Sequence, residues 1–127
     1  MKSILLIDGS PLFQDFLRDK VSAEQVGLEC AGSRDAYTKM LSILPDLIII
    51  EIETVITEDL TLLLEKKHTD PNAKRIPIII TGPVMDRSKV ANLVEFGVVK
   101  YFTKPIKFDV FFEAIGRILK MPLSMDT

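Results

Sequence analysis

Four apolar runs in this chain each lead into a residue suited to a phosphate or metal site. Ile4-Leu5-Leu6-Ile7 runs into Asp8, and Leu47-Ile48-Ile49-Ile50 into Glu51. Ile78-Ile79-Ile80 runs into Thr81, and Tyr101-Phe102 leads into Thr103-Lys104-Pro105. Two carboxylates, a hydroxyl and an ammonium are groups that hold a divalent cation and phosphoryl oxygens. They act together only if one scaffold brings the four run ends to a common edge. An open parallel sheet does so, because its ligands bind in the crevice outside the carboxyl ends of the strands.

The rest of the sequence supplies such a scaffold. Apolar runs alternate with segments of helical period, five times over. The first strand is expected over Ser3 to Asp8, and Ser10-Pro11 then reads as an N-cap with proline at the first helical position. Phe13, Phe16, Leu17 and Val21 share one face of that helix. A short strand from Gly27 to Ala31 follows, then a helix from Arg34 to Ser42, capped by Ser33 and stopped by Pro45. The third strand runs from Asp46 to Glu51. The third helix covers Glu58 to Lys67 with Leu60, Leu63 and Leu64 inward, and a turn cluster holds His68 to Asn72. The fourth strand is Ile76 to Thr81. The fourth helix opens at Asp86 and closes at Gly97, a good C-cap. A fifth strand, Val98 to Phe102, leads to a last helix with Phe108, Phe111, Phe112, Ile115, Ile118 and Leu119 on one face. The strands are near-continuous apolar runs, as expected when helices cover both faces of a parallel sheet. The fold class is therefore α/β, a doubly wound five-stranded parallel sheet flanked by five helices. The domain spans residues 1–121, and residues 122–127 read as a tail or the start of a linker.

Composition narrows the function. The 127 residues suit one domain, and the formal net charge of -2 carries no basic stripe for nucleic acid. The Lys66-Lys67 pair reads as a solvated helix end. Cys30 is the only cysteine, so an internal disulfide or a zinc cluster is excluded, and its apolar surroundings suggest an inert thiol. No apolar run is long enough to cross a membrane, and the first strand starts without room for a signal peptide, so a cytoplasmic protein is expected. Only Gly9 lies in the turn after the first strand. A glycine-rich phosphate loop, and with it a flavodoxin-like enzyme or nucleotide binder, is poorly supported. His68 has no second His or Cys to form a triad or a zinc site, and reads as a solvent-facing turn residue.

Pro45-Asp46-Leu47 before the third strand, Ile76-Pro77-Ile78 entering the fourth, and Tyr101-Phe102-Thr103-Lys104-Pro105 after the fifth resemble, in order and spacing, a response-regulator receiver domain of bacterial two-component signalling. The resemblance covers residues 3 to 120 and implies the strand order 2-1-3-4-5. In that family two adjacent acids after the first strand help hold magnesium. An aspartate ending the third strand accepts a phosphoryl group from a histidine kinase, and a Thr or Ser and a Lys contact the phosphate. Carried over by position, Asp8 keeps the first acid and Gly9 replaces the second. Glu51 stands in place of the phospho-acceptor. Thr81 and Lys104 are kept, Gly82 replaces the usual alanine, and Tyr101 holds the aromatic switch position. The resemblance also implies a cis Lys104-Pro105 bond.

These departures weaken the chemistry. In-line phosphoryl transfer depends on positioning and on charge neutralisation by the metal. A glutamate sets its carboxylate one methylene too far out, and a misplacement of ~1 Å can cost about 100-fold in rate. The expectation is a non-catalytic pseudo-receiver that is not an enzyme and requires no cofactor. Asp8, Glu51 and Glu53 leave at most weak magnesium binding, and Glu53 reads equally as an exposed loop residue. Glu51 is expected to pair with Lys104, either as an inherited ion cluster or as a lock on one signalling conformation. The alternative is a genuine phosphorylation switch with residual magnesium chemistry. Val55, Ile56 and Asp59 hold places where receivers have turn formers, so Val55 and Ile56 either cover the site or form a contact surface. The expected partner is a protein: a histidine kinase, an effector domain or a second copy forming a homodimer. It would meet the face of the fourth helix, fifth strand and fifth helix, at Lys89, Asn92, Lys100, Glu113 and Arg117.

Overall fold

The computed structural model describes residues 1–7, 10–53, 55 and 57–123. Five strands form one parallel sheet: β1 (Ser3–Ile7), β2 (Gly27–Ala31), β3 (Leu47–Glu51), β4 (Ile78–Gly82) and β5 (Val98–Thr103). Their order is β2-β1-β3-β4-β5, as the receiver resemblance implies. Five helices connect and flank them: α1 (Pro11–Ser22), α2 (Ala36–Ile43), α3 (Thr57–Thr69), α4 (Arg87–Leu93) and α5 (Phe108–Leu119). A 3-10 turn, Val94–Phe96, continues α4.

The apolar runs form strands because both of their faces are covered. Leu47, Ile48, Ile49 and Ile50 are fully buried, and alternate residues feed opposite layers. Ile48 and Ile50 join Met40, Leu63, Ile78 and Ile80 under α2 and α3. Leu47 and Ile49 join Leu17, Val21, Phe111, Phe112 and Ile115 under α1 and α5. At ~25 cal/mol per Å² of apolar surface, each such side chain stabilises the fold by about 1.5–3 kcal/mol.

Local signals largely place the helix ends. Ser10 caps α1 by accepting the Phe13 N–H, with Pro11 in the first turn. Gly97 ends the 3-10 turn at φ 96°, where a Cβ would be strained. Other expectations are corrected. Ser33 does not cap α2, which starts at Ala36; its hydroxyl donates to Asp59 instead. The α3 helix runs on to Thr69, so His68 lies in its last turn and its ring meets Phe96 edge-on. Lys67 is not solvated but fully buried. Phe16 lies at the margin of its helix face, 38% exposed, against Phe108 and Phe112. Leu123 is buried with the α5 cluster, two residues beyond the expected domain boundary.

Candidate functional site

The order of the sheet explains why the chemical groups meet. β3, β4 and β5 are neighbours, and their register pairs Glu51 with Thr81 and Gly82 with Thr103. The last residues of three strands therefore lie side by side at the carboxyl edge. Just beyond, the Lys104 N–H donates to the Gly82 carbonyl at 2.8 Å, and the Lys104-Pro105 peptide is cis.

Glu51 is the centre of this edge and is 3% exposed. Its Oε1 accepts the backbone N–H of Glu53 at 3.0 Å. Its Oε2 accepts the Thr81 hydroxyl at 2.8 Å and lies 2.6 Å from the Lys104 ammonium. A second carboxylate, Glu53, approaches the same ammonium at 3.6 Å from the loop. Burial alone would lower the Lys104 pKa. The hydrogen bond and charge of Glu51, and then those of Glu53, outweigh it and raise the value above the ordinary 10.5.

Tyr101 takes a different partner. Its hydroxyl donates to the carbonyl of Pro83, just past β4. Burial, then the negative charges of Glu51 and Glu53, raise its pKa above 10.0, with Lys104 opposing. Gly82 lies between these groups. A Cβ built there would stand 2.8 Å from the Tyr101 hydroxyl and closer still to Cγ2 of Ile52. The absent side chain at Gly82 thus lets the loop after β3 and the β5 tyrosine pack onto one spot. Sequence reasoning missed Ile52 and Pro83, because neither carries a group that marks a site. A hollow of about 230 Å³ beside the cluster is walled by Phe13, Pro105, Ile106 and Phe108, with Ser10, Glu51 and Lys104 at its polar side.

The structure therefore brings Glu51, Thr81, Lys104 and Glu53 together and sets Gly82 and Tyr101 one layer away. Asp8, Gly9 and Ile56 lie outside the described residues. Val55 turns inward and packs against the core. Among the described residues, the carboxylates of Glu51 and Glu53 are already engaged by other partners. Magnesium needs near-octahedral oxygen coordination, yet Oε2 of Glu51 and the Glu53 carboxylate both face an ammonium, and Oε1 faces an N–H.

Lys89 and Asn92 on α4, Lys100 on β5, and Glu113 and Arg117 on α5 are all exposed. Glu113 and Arg117 pair with one another along α5. Between β5 and α5 a hollow of about 200 Å³ is floored by Val99, Val110, Ala114 and Ile118, and rimmed by Lys100, Glu113 and Arg117. No helix among the described residues is long and apolar enough to cross a membrane.

No protein-family model matches the chain. The chemotaxis protein CheY of Thermotoga maritima is 24% identical over 123 residues, covering 94% of this chain and 98% of CheY. A two-component response regulator from Clostridium difficile superposes with a TM-score of 0.78 at 23% identity, over 94% of this chain and 97% of its own. The signal receiver domain of a DNA binding response regulator from Colwellia psychrerythraea 34H gives 0.80 at 19% identity, over 95% of this chain and 100% of its own. The signal receiver domain of a signal transduction histidine kinase from Syntrophus aciditrophicus gives 0.73 at 25% identity, over 94% and 91%. In strand order and overall fold, and over nearly its whole length, the chain is similar to CheY-like receiver domains.

Proposed function

We propose that this chain serves two-component signalling as a pseudo-receiver, a non-catalytic protein-interaction module. Glu51 supplies permanently the negative charge that other receivers acquire by phosphorylation. The observation that carries this reading is the engagement of Glu51. Its two oxygens are already held by the Thr81 hydroxyl, the Lys104 ammonium and the Glu53 N–H. Those are the groups that would otherwise be available to an incoming phosphoryl group. A carboxylate so engaged is a poor nucleophile and a good structural anion.

The partner surface of this reading is the face of α4, β5 and α5, at Lys89, Asn92, Lys100, Glu113 and Arg117. Its support is an exposed edge strand beside an apolar hollow with a charged rim, the pattern of an interface with an apolar centre and a polar border. A kinase, an effector domain or a second copy of the chain is the occupant class. The test of the chemistry is intact-mass measurement after incubation with acetyl phosphate and magnesium. The expected result is an unchanged mass. A stoichiometric gain of one phosphoryl group, abolished by Glu51→Gln, would establish a working phosphorylation switch instead.

A further inference from the structure

Lys67 is inward on α3, one turn beyond Leu63 and Leu64, and none of its surface reaches solvent. Its ammonium donates to the carbonyl of Lys74, in the loop after α3, and to the carbonyl of Phe96, both at 3.0 Å. Phe96 ends the 3-10 turn that follows α4, and a terminal helical carbonyl has no N–H partner of its own. Gly97 then turns the chain away at φ 96° and hands its own carbonyl to Ile78 in the sheet. A Cβ on Gly97 would stand 2.7 Å from the Lys67 ammonium, so the corner is built around that group.

The segment it holds is weakly anchored otherwise. Neither α4 nor the 3-10 turn has a fully buried side chain. Leu93 and Phe96 are half-buried against the core. Among the described residues, Lys67 is the one side chain outside residues 87–96 that donates a hydrogen bond into them. A methionine or leucine at this inward position would bury without desolvating an ammonium. What lysine adds is the pair of bonds. Burial lowers the Lys67 pKa, and among the described residues the partners of its ammonium are the two carbonyl dipoles.

We infer that Lys67 is a positioning residue, a buried tether that caps the α4 segment from a neighbouring helix and fixes where that segment lies on the sheet. The inference does not depend on the face of α4 binding a partner. Amide hydrogen exchange of the wild-type chain and Lys67→Met tests it. Methionine keeps the length and apolar stem and removes the donors. Amides of residues 89–97 should exchange about tenfold faster, the effect of losing one charge-assisted hydrogen bond, while those of β1, β3 and β4 keep their protection. Equal acceleration in the sheet would make Lys67 a contributor to global stability only and overturn the inference, as would unchanged exchange at 89–97. Lys67→Leu, which also removes the donors, is read by the same criterion if the methionine variant does not fold.

Discussion

The ion pair at the strand edge has a measurable strength. Lys104→Met, Glu51→Gln and the double variant form a cycle that isolates it. At 2.6 Å and an effective dielectric of ~20, the gross attraction is about 6 kcal/mol. Most of that is offset by desolvation, since Glu51 is 3% exposed. Breaking a fully buried pair costs about 3–5 kcal/mol, and an exposed one about 0–1 kcal/mol. The Lys104 side chain is 43% exposed, which places the expected coupling between those limits, at about 1–2 kcal/mol. Urea unfolding followed by circular dichroism at pH 7 would measure it. The pH dependence has a definite sign. The folded-state pKa of Lys104 is raised above 10.5, so its stabilisation is fully present below that value and is lost as pH rises through the folded pKa. The coupling should therefore hold from pH 7 to about 10 and decline above. A coupling within the ~0.3–0.5 kcal/mol scatter of independent sites, or one that persists undiminished in strong alkali, would refute the account of a locked carboxylate.

Three further outcomes are expected. Calorimetric titration should show magnesium binding no tighter than the millimolar range, on the order of the weakest carboxylate sites. Gly9→Asp combined with Glu51→Asp should strengthen it, and micromolar binding by the unmodified chain would overturn the account of engaged carboxylates. Gly82→Ala should destabilise the domain by about 1–3 kcal/mol through overpacking and displace Tyr101, moving its phenol titration down toward 10.0; unchanged stability and titration would count against the contact with Ile52 and Tyr101. Lys100→Glu with Arg117→Glu should weaken partner capture or self-association in sedimentation while leaving the circular dichroism unchanged. Unchanged binding by this pair would overturn the placement of the partner surface.

The sheet was legible because its strands are buried on both sides, so that Leu47 to Ile50 read as an uninterrupted apolar run. The chemical edge was legible for a related reason. A residue that ends a buried run has a fixed place in a parallel sheet, and Glu51, Thr81 and Lys104 needed only that place to meet. Lys67 was hidden because a charged residue interrupts the apolar pattern that announces burial, and one of the two carbonyls that accept its hydrogen bonds, that of Phe96, lies 29 residues along the sequence. Ser33 shows the limit of a local signal, because a hydroxyl ahead of a helix serves as well for a tertiary bond, here to Asp59, as for a cap. The stop at Gly97 was visible, but the loosening of α4 into a 3-10 turn depends on how few of its side chains find the core.

A carboxylate carried by the backbone at position 51 has a consequence for timing. A phosphoryl group is added and removed within the lifetime of a signal, whereas Glu51 is present from synthesis to degradation. Under the pseudo-receiver reading, the domain keeps no record of recent stimulus. Occupancy of its partner then follows mass action alone, set by copy number and by the partner's abundance. The information it conveys is how much of it the cell has made, and its natural clock is protein turnover.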